Sequence, residues 1–250
     1  MRKWWSGIFA ALTGLGALGT AWAQSTLGPT TYRVGNAVIY AMVDTTSESL
    51  FISSSFLVGC DGTWGTTPFG SYMGERQSLT LMEMQNKAWQ GLSEPTVGQV
   101  QFVALDRKRD AEGKESLARV QRLCKSSPPV PRNLLIPIAG TKDEVSSLMT
   151  GTVTRKGTTI EAWTSDAKFR EEPPAAGGGS PQKVFTGEVV KARLVYNCTE
   201  RTAGILSFVA YDASGSTVER GEWQPKDVIY RAVIPGSALE QRFDFLCKVF

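Results

Sequence analysis

The chain has 250 residues, 42% hydrophobic and 20% charged, with a formal net charge of +3 and no histidine. That length fits one large domain or two small ones. Without imidazole there is no Ser-His-Asp or Cys-His catalytic site and no His metal ligand, and the near-neutral charge gives no global attraction to nucleic acid or an anionic membrane.

At the N-terminus, Arg2 and Lys3 precede an apolar run from Ile8 to about Leu18 and the small-residue exit Ala21-Trp22-Ala23. A positive head, an apolar middle and a small-x-small exit predict a signal peptide over 1–23, with Gln24 starting the mature chain at a net charge of +1. The apolar run is too short to span a membrane comfortably, and no other long apolar segment follows. No cysteine stands at the cleavage region to take a lipid, so the expected location is periplasmic or secreted. In an exported chain the four cysteines, Cys60, Cys124, Cys198 and Cys247, predict two disulfides, and three connectivities are open. Their wide spacing argues against a zinc site or a CxxC redox centre.

Ser126-Ser127-Pro128-Pro129-Val130-Pro131 reads as an extended, semi-rigid connector. With 128–133 as linker, the mature chain divides into 24–127 and 134–250. Three words recur in the same order in both halves: "FLVGC" and "LVYNC", "FVALD" and "FVAYD", "ARVQRLCK" and "EQRFDFLCK". This predicts a degenerate tandem duplication in which each half closes its own bridge, Cys60 to Cys124 and Cys198 to Cys247.

In the second half, Thr152–Arg155 and Thr159–Trp163 flank Lys156-Gly157 as a hairpin. Residues 171–181, rich in Pro and Gly, read as a mobile loop. Val190, Ala192, Leu194, Tyr196 and Cys198 alternate with Lys191, Arg193, Val195 and Asn197, the pattern of a half-buried strand. Gly204–Tyr211 form the next strand, Asp212–Gly215 a turn, and Thr217–Trp223 the returning strand. Ser237 and Glu240 form a capping box, with Glu240 expected to reach back to the Ser237 amide; Leu239, Phe243 and Leu246 then recur at helical spacing. The predicted fold is α+β: an antiparallel meander packed with a disulfide-tethered C-terminal helix, in two tandem modules.

Catalytic chemistry finds little support. The Glu171-Glu172 pair falls in the expected loop without a scaffold, no phosphate-binding Gly loop is present, and no Ser-x-x-Lys opens a helix. The chain reads as non-enzymatic, with no cofactor or metal. Lys191, Arg193 and Arg201 form a candidate partner-binding group for an acidic or sulphated partner. Asn197-Cys198-Thr199 matches the glycosylation pattern but is discounted around a bridged cysteine.

"VVKARLVYNCTERTAGILSFVAYDASGSTVERGEWQP", followed by "VIPGSALEQRFDFLCK", resembles the surface-adhesin protein E family of Gram-negative bacteria, as does "TRKGTTIEAWTSDAKF". The resemblance spans roughly 134–250 and reaches the first half only at its cysteine-bearing ends. It implies an antiparallel sheet backed by a disulfide-tethered helix. It also implies binding of host matrix proteins, as in some members, through the basic strand-and-turn region on which Lys191, Arg193 and Arg201 fall. Unlike the lipid-anchored members, this chain has no cysteine at its cleavage site. The expectation is an exported adhesin-like protein of the cell envelope whose partner is a host matrix protein or an envelope component. The alternatives are a periplasmic subunit of an envelope or secretion complex, an enzyme inhibitor, or a small-ligand carrier with a cavity between sheet and helix.

Overall fold

The structure, a computed structural model, describes residues 31–44, 50–75, 79–80, 83–84, 87, 100–105, 111–132, 134–172 and 182–250. The expected signal peptide and residues 173–181 of the expected loop lie outside them. Sheet one contains β1 (Thr31–Val34), β2 (Ala37–Asp44), β3 (Leu50–Gly59), β4 (Trp64–Thr66), β5 (Phe69–Glu75) and β6 (Phe102–Ala104), in the order β1-β2-β3-β4-β6 with β5 also on β3. Helix α1 (Ala111–Ser126) follows. Sheet two contains β7 (Leu135–Gly140), β8 (Glu144–Met149), β9 (Thr154–Lys156), β10 (Thr159–Glu172), β11 (Gln182–Asn197), β12 (Thr202–Tyr211), β13 (Thr217–Glu222) and β14 (Arg231–Ala232). Its order is β13-β12-β11-β10-β8-β7, with β9 on β10 and β14 on β12. Helix α2 (Ala238–Val249) closes the chain. The strand pairs of both sheets are antiparallel, and no described helix is long and apolar enough to cross a membrane.

Each half contains a two-residue hairpin turn. Val34 pairs with Ala37 and Lys156 with Thr159, so Gly35-Asn36 and Gly157-Thr158 are the loops. Both glycines have positive φ, +55° and +60°, a region that costs an L-residue about 1–2 kcal/mol. Arg33 Nε donates to the Gly35 carbonyl at 3.2 Å, and Arg155 Nε to the Gly157 carbonyl at 3.0 Å. The Cys60 amide donates to Asn36 O and the Cys198 amide to Thr158 O, each at 2.9 Å. Each cysteine follows the end of a long strand and bridges to a helix: Cys60 to Cys124 on α1, Cys198 to Cys247 on α2. The described residues contain no free cysteine.

Two local expectations are corrected. The first strand of the second-half hairpin starts at Thr154, because Thr150–Thr152 form a 3-10 turn. There Thr152 Oγ1 donates to Met149 O at 2.6 Å and accepts from the Trp163 amide at 3.0 Å, so its side chain does the work of a strand partner. Glu171 and Glu172 belong to β10, not to a loop, and pair with Lys183 and Gln182 of β11. The Phe169 and Phe185 rings, 5.8 Å apart, support that extension beyond the bulge at Ala167/Phe169.

Both faces of sheet one are buried. Val38, Tyr40, Phe56 and Val58 pack on α1 through Val120, Leu123 and Cys124. The opposite face, with Ala37, Ile39, Ala41 and Leu57, joins a core containing Ile136, Leu148, Ile160, Leu194 and Tyr196 of sheet two. Helix α2 lies between the sheets. Phe243 and Phe245, two residues apart, point about 200° from one another around the helix. Phe243 turns to Tyr196 of sheet two, with ring centroids 6.4 Å apart, and Phe245 to Phe102 of sheet one at 5.9 Å. Lys248 Nζ sits over the Phe102 and Trp64 rings at 4.5 and 5.4 Å. The helix ends on the first-half turn, where the Asn36 amide donates to Val249 O at 2.6 Å.

The proline segment is docked as well. Arg33 donates to Pro128 O at 2.7 Å and Val130 donates to Arg33 O at 3.0 Å, making a parallel bridge beside β1. One hydrophobic core therefore serves both halves of the chain. Each fully buried Leu, Ile or Phe in it is worth about 1.5–3 kcal/mol relative to exposure.

Candidate functional site

Sheet two turns one face to α2 and the other outward. The register of β10, β11, β12 and β13 lays out two outward rows: Trp163–Arg193–Ser207–Glu222 and Ser165–Lys191–Val209–Arg220. A third row, Ala167–Val189–Tyr211, flanks them; Ser165 and Ala167 in these rows are themselves buried, Ala167 in a cluster with Val145 and Phe169. Period-two alternation sends Ala192, Leu194 and Tyr196 to the core and Lys191 and Arg193 to this face.

The structure brings Lys191 and Arg193 together and places Arg201 elsewhere. Lys191 is exposed, with Nζ 5.6 Å from the Tyr211 ring centroid. Arg193 Nη2 meets Glu161 Oε2 at 2.6 Å, so its charge already has an intramolecular partner. Exposed pairs of this kind contribute about 0.2–1 kcal/mol. Arg201 lies past the end of β11, in the turn that joins it to β12. There Asn197 Oδ1 accepts from the amides of Thr199 and Glu200 at 3.1 and 3.2 Å, closing the turn and committing the side chain of the sequon. Arg201 takes φ +50° and its guanidinium reaches α2: Glu240 at 3.1 Å, Asp244 at 3.6 Å, and the Phe243 ring at 4.8 Å. It clamps the helix instead of extending the Lys191–Arg193 surface. The expected three-cation group is therefore a pair, joined by Arg220, which the sequence reading missed. The two-residue period of Thr217–Glu222, read against β12, was the signal that could have found it.

The α2 side of sheet two holds a second polar group. Arg242 Nη2 meets Asp166 Oδ2 at 3.1 Å and Glu144 Oε1 at 3.7 Å, and the side chains of Arg242 and Asp166 are only 14% and 12% exposed. Arg242 Nε, Asp166 Oδ1, Tyr196 Oη, Thr164 Oγ1 and Ser146 Oγ are all buried without a hydrogen-bond partner. Burial pushes the Tyr196 phenol far above its ordinary value, with Arg242 lowering it and Asp166 raising it by smaller amounts. The Arg242 ion pairs tie α2 to β10 and β8, at the cost of several unsatisfied groups.

Glu171 and Glu172 form surface pairs, with Lys142 at 3.8 Å and Arg170 at 2.8 Å. Just past β12, Asp212 Oδ1 accepts from Ser214 Oγ at 2.6 Å and from the amides of Ser216 and Ser214 at 3.0 and 2.9 Å, which holds its carboxyl below the usual range. That turn joins β12 to β13 at the edge of the sheet. Compared with known proteins, the chain matches no family model and no curated sequence.

Proposed function

We propose that the protein is an exported, non-enzymatic binding protein of the cell envelope, of the surface-adhesin E type, built as two tandem modules. It engages a protein partner, a host matrix protein or an envelope component, through the outward face of β10–β13. The observation that carries this reading is the composition of that face. Trp163, Val209 and Tyr211 lie half-buried among the exposed Lys191, Arg193 and Arg220 on four paired strands. Aromatic and Arg side chains on a rigid support are the groups that dominate protein interfaces. The signal-peptide pattern supports a periplasmic or secreted location, and so do two bridges that need an oxidising compartment.

The tandem reading rests on matched details. The two turn glycines, the two arginine-to-carbonyl bonds, the two cysteine amide bonds and the two strand-to-helix disulfides recur in the same chain order. The test of function is charge reversal of Lys191 and Arg193 to Glu, assayed against immobilised matrix proteins and envelope extracts at low and physiological salt. Partner capture should fall at least tenfold and lose its salt dependence, with the melting temperature within a few degrees of the parent. Undiminished capture would remove this face from the proposal.

A further inference from the structure

We propose that β13 is a self-complementary edge through which two copies of the chain associate, each pairing its β13 antiparallel with that of the other. Strand β13 pairs β12 on one side, and among the described strands none lies on its outer side. Its residues are exposed except for Gly221, which is half-buried. Gly221 is held by packing, because a Cβ there would meet Phe208 Cε1 at 2.7 Å and Trp223 Cη2 at 2.9 Å.

The direction of the backbone groups follows from one bond. The Trp223 amide donates to Leu206 O at 2.8 Å. In an antiparallel strand these groups alternate sides, so Gly221 and Glu219 also turn inward to β12. The N–H and C=O of Arg220 and Glu222 then turn outward, while the register shift between Ala210/Tyr211 interrupts the alternation at Val218. An edge of this kind is a template for another strand, and proteins commonly guard it with charge. Charges of one sign would repel a second copy. Here Arg220 and Glu222 are opposite in sign, two residues apart, on the same face, and without an ion-pair partner among the described residues.

A two-fold axis normal to the sheet places residues of equal parity opposite one another. With the bulge at Val218 set aside, the registers centred on Glu219, Arg220 and Gly221 overlap five, five and three residues of β13. One sets Arg220 against Arg220, and another sets Val218 against Arg220 with Glu219 against Glu219. The third places Gly221 on the axis and Arg220 opposite Glu222 of the second copy, twice by symmetry. Only the third matches charge. It also joins residues whose outward N–H and C=O groups can exchange both hydrogen bonds, giving four backbone bonds per pair of copies.

The test is sedimentation equilibrium on the exported chain, with thermal melts confirming that every variant folds. The parent should dimerise reversibly and more weakly at high salt. Arg220→Glu leaves two acidic side chains at positions 220 and 222 and Glu222→Arg two basic ones, and each alone should raise the dissociation constant about tenfold or more. The double exchange R220E/E222R, and an equimolar mixture of the two single variants, should both restore association. A parent that stays monomeric at every concentration, single variants that associate like the parent, or a mixture that fails to associate would each overturn the proposal. So would capture of a strand from another protein on β13 without self-association.

Discussion

Gly35-Asn36 and Gly157-Thr158 are the same turn placed in two surroundings. Each has a glycine with positive φ, an arginine bonded to that glycine's carbonyl, and a carbonyl that receives the amide of a bridged cysteine. Around Gly157 there is open space, whereas a Cβ on Gly35 would collide with the backbone carbonyl of Val249 and meet Phe250 Cδ1 at 2.9 Å. The first-half turn has become the seat of the second-half helix. A motif can thus keep its local chemistry in both halves while only one copy is recruited to join them. Helix α1 shows the same division, since it packs on the outer face of its own sheet, while α2 is shared by both sheets.

The largest effect expected from breaking this comparison lies in the bridges. Their sequence separations are 64 and 49, and loop entropy depends on length only logarithmically. Replacing Cys60 and Cys124 with Ala, or Cys198 and Cys247, should each cost about 4 kcal/mol in denaturant melts, with the two values close together. A pair whose removal is silent would show that the two tethers are not equivalent. The glycines come next. Gly157→Ala should cost about 1 kcal/mol, from φ strain alone. Gly35→Ala should cost about 3 kcal/mol or more, because a backbone carbonyl must move and the helix end moves with it. Equal costs would mean that the Gly35 turn does not seat α2.

Much of the second sheet was legible because its signals are local. Alternation along Val190–Asn197, the Asp212–Gly215 turn and the helix start at Ser237 each need only neighbouring residues. Ser237 Oγ does accept from the Glu240 amide, at 3.1 Å. The other half of the capping box fails, because the Ser237 amide is already given to Ile234 O. The Glu240 carboxylate takes the Gly236 amide at 2.7 Å instead. What stayed hidden depends on contacts distant in sequence. Val195 sits on the polar side of its strand yet is buried, because Val228 folds back over Gly204 beside it. Arg201 follows two outward cations in sequence, but the pattern that aims them ends with β11. The proline segment gave no hint of its dock, since its partner Arg33 lies almost a hundred residues earlier. The separate halves expected from composition therefore meet in a core that composition could not reveal.

A smaller and pH-dependent comparison concerns Tyr40 beside α1 and Tyr196 beside α2, whose phenols burial pushes far above the ordinary value. A phenol with a higher pKa in the folded state contributes stability fully below the unfolded value of about 10 and loses it progressively as pH rises above that. Melting temperature should therefore fall steeply above about pH 10. Tyr196→Phe should soften that fall and, by removing a buried hydroxyl without a partner, leave neutral-pH stability unchanged or raised by about 1 kcal/mol. An alkaline fall identical in parent and Y196F would assign the effect to other groups.

The claim that one core joins both halves is tested most directly by scanning calorimetry with both disulfides intact. With Val34, Ile39 and Leu57 packed in the same core as Ile136, Phe245, Leu246 and Val249, neither half can melt without exposing the other. The account predicts one transition with a calorimetric enthalpy equal to the van't Hoff enthalpy. Two separable transitions, one reproduced by a fragment spanning 134–250 on its own, would contradict it.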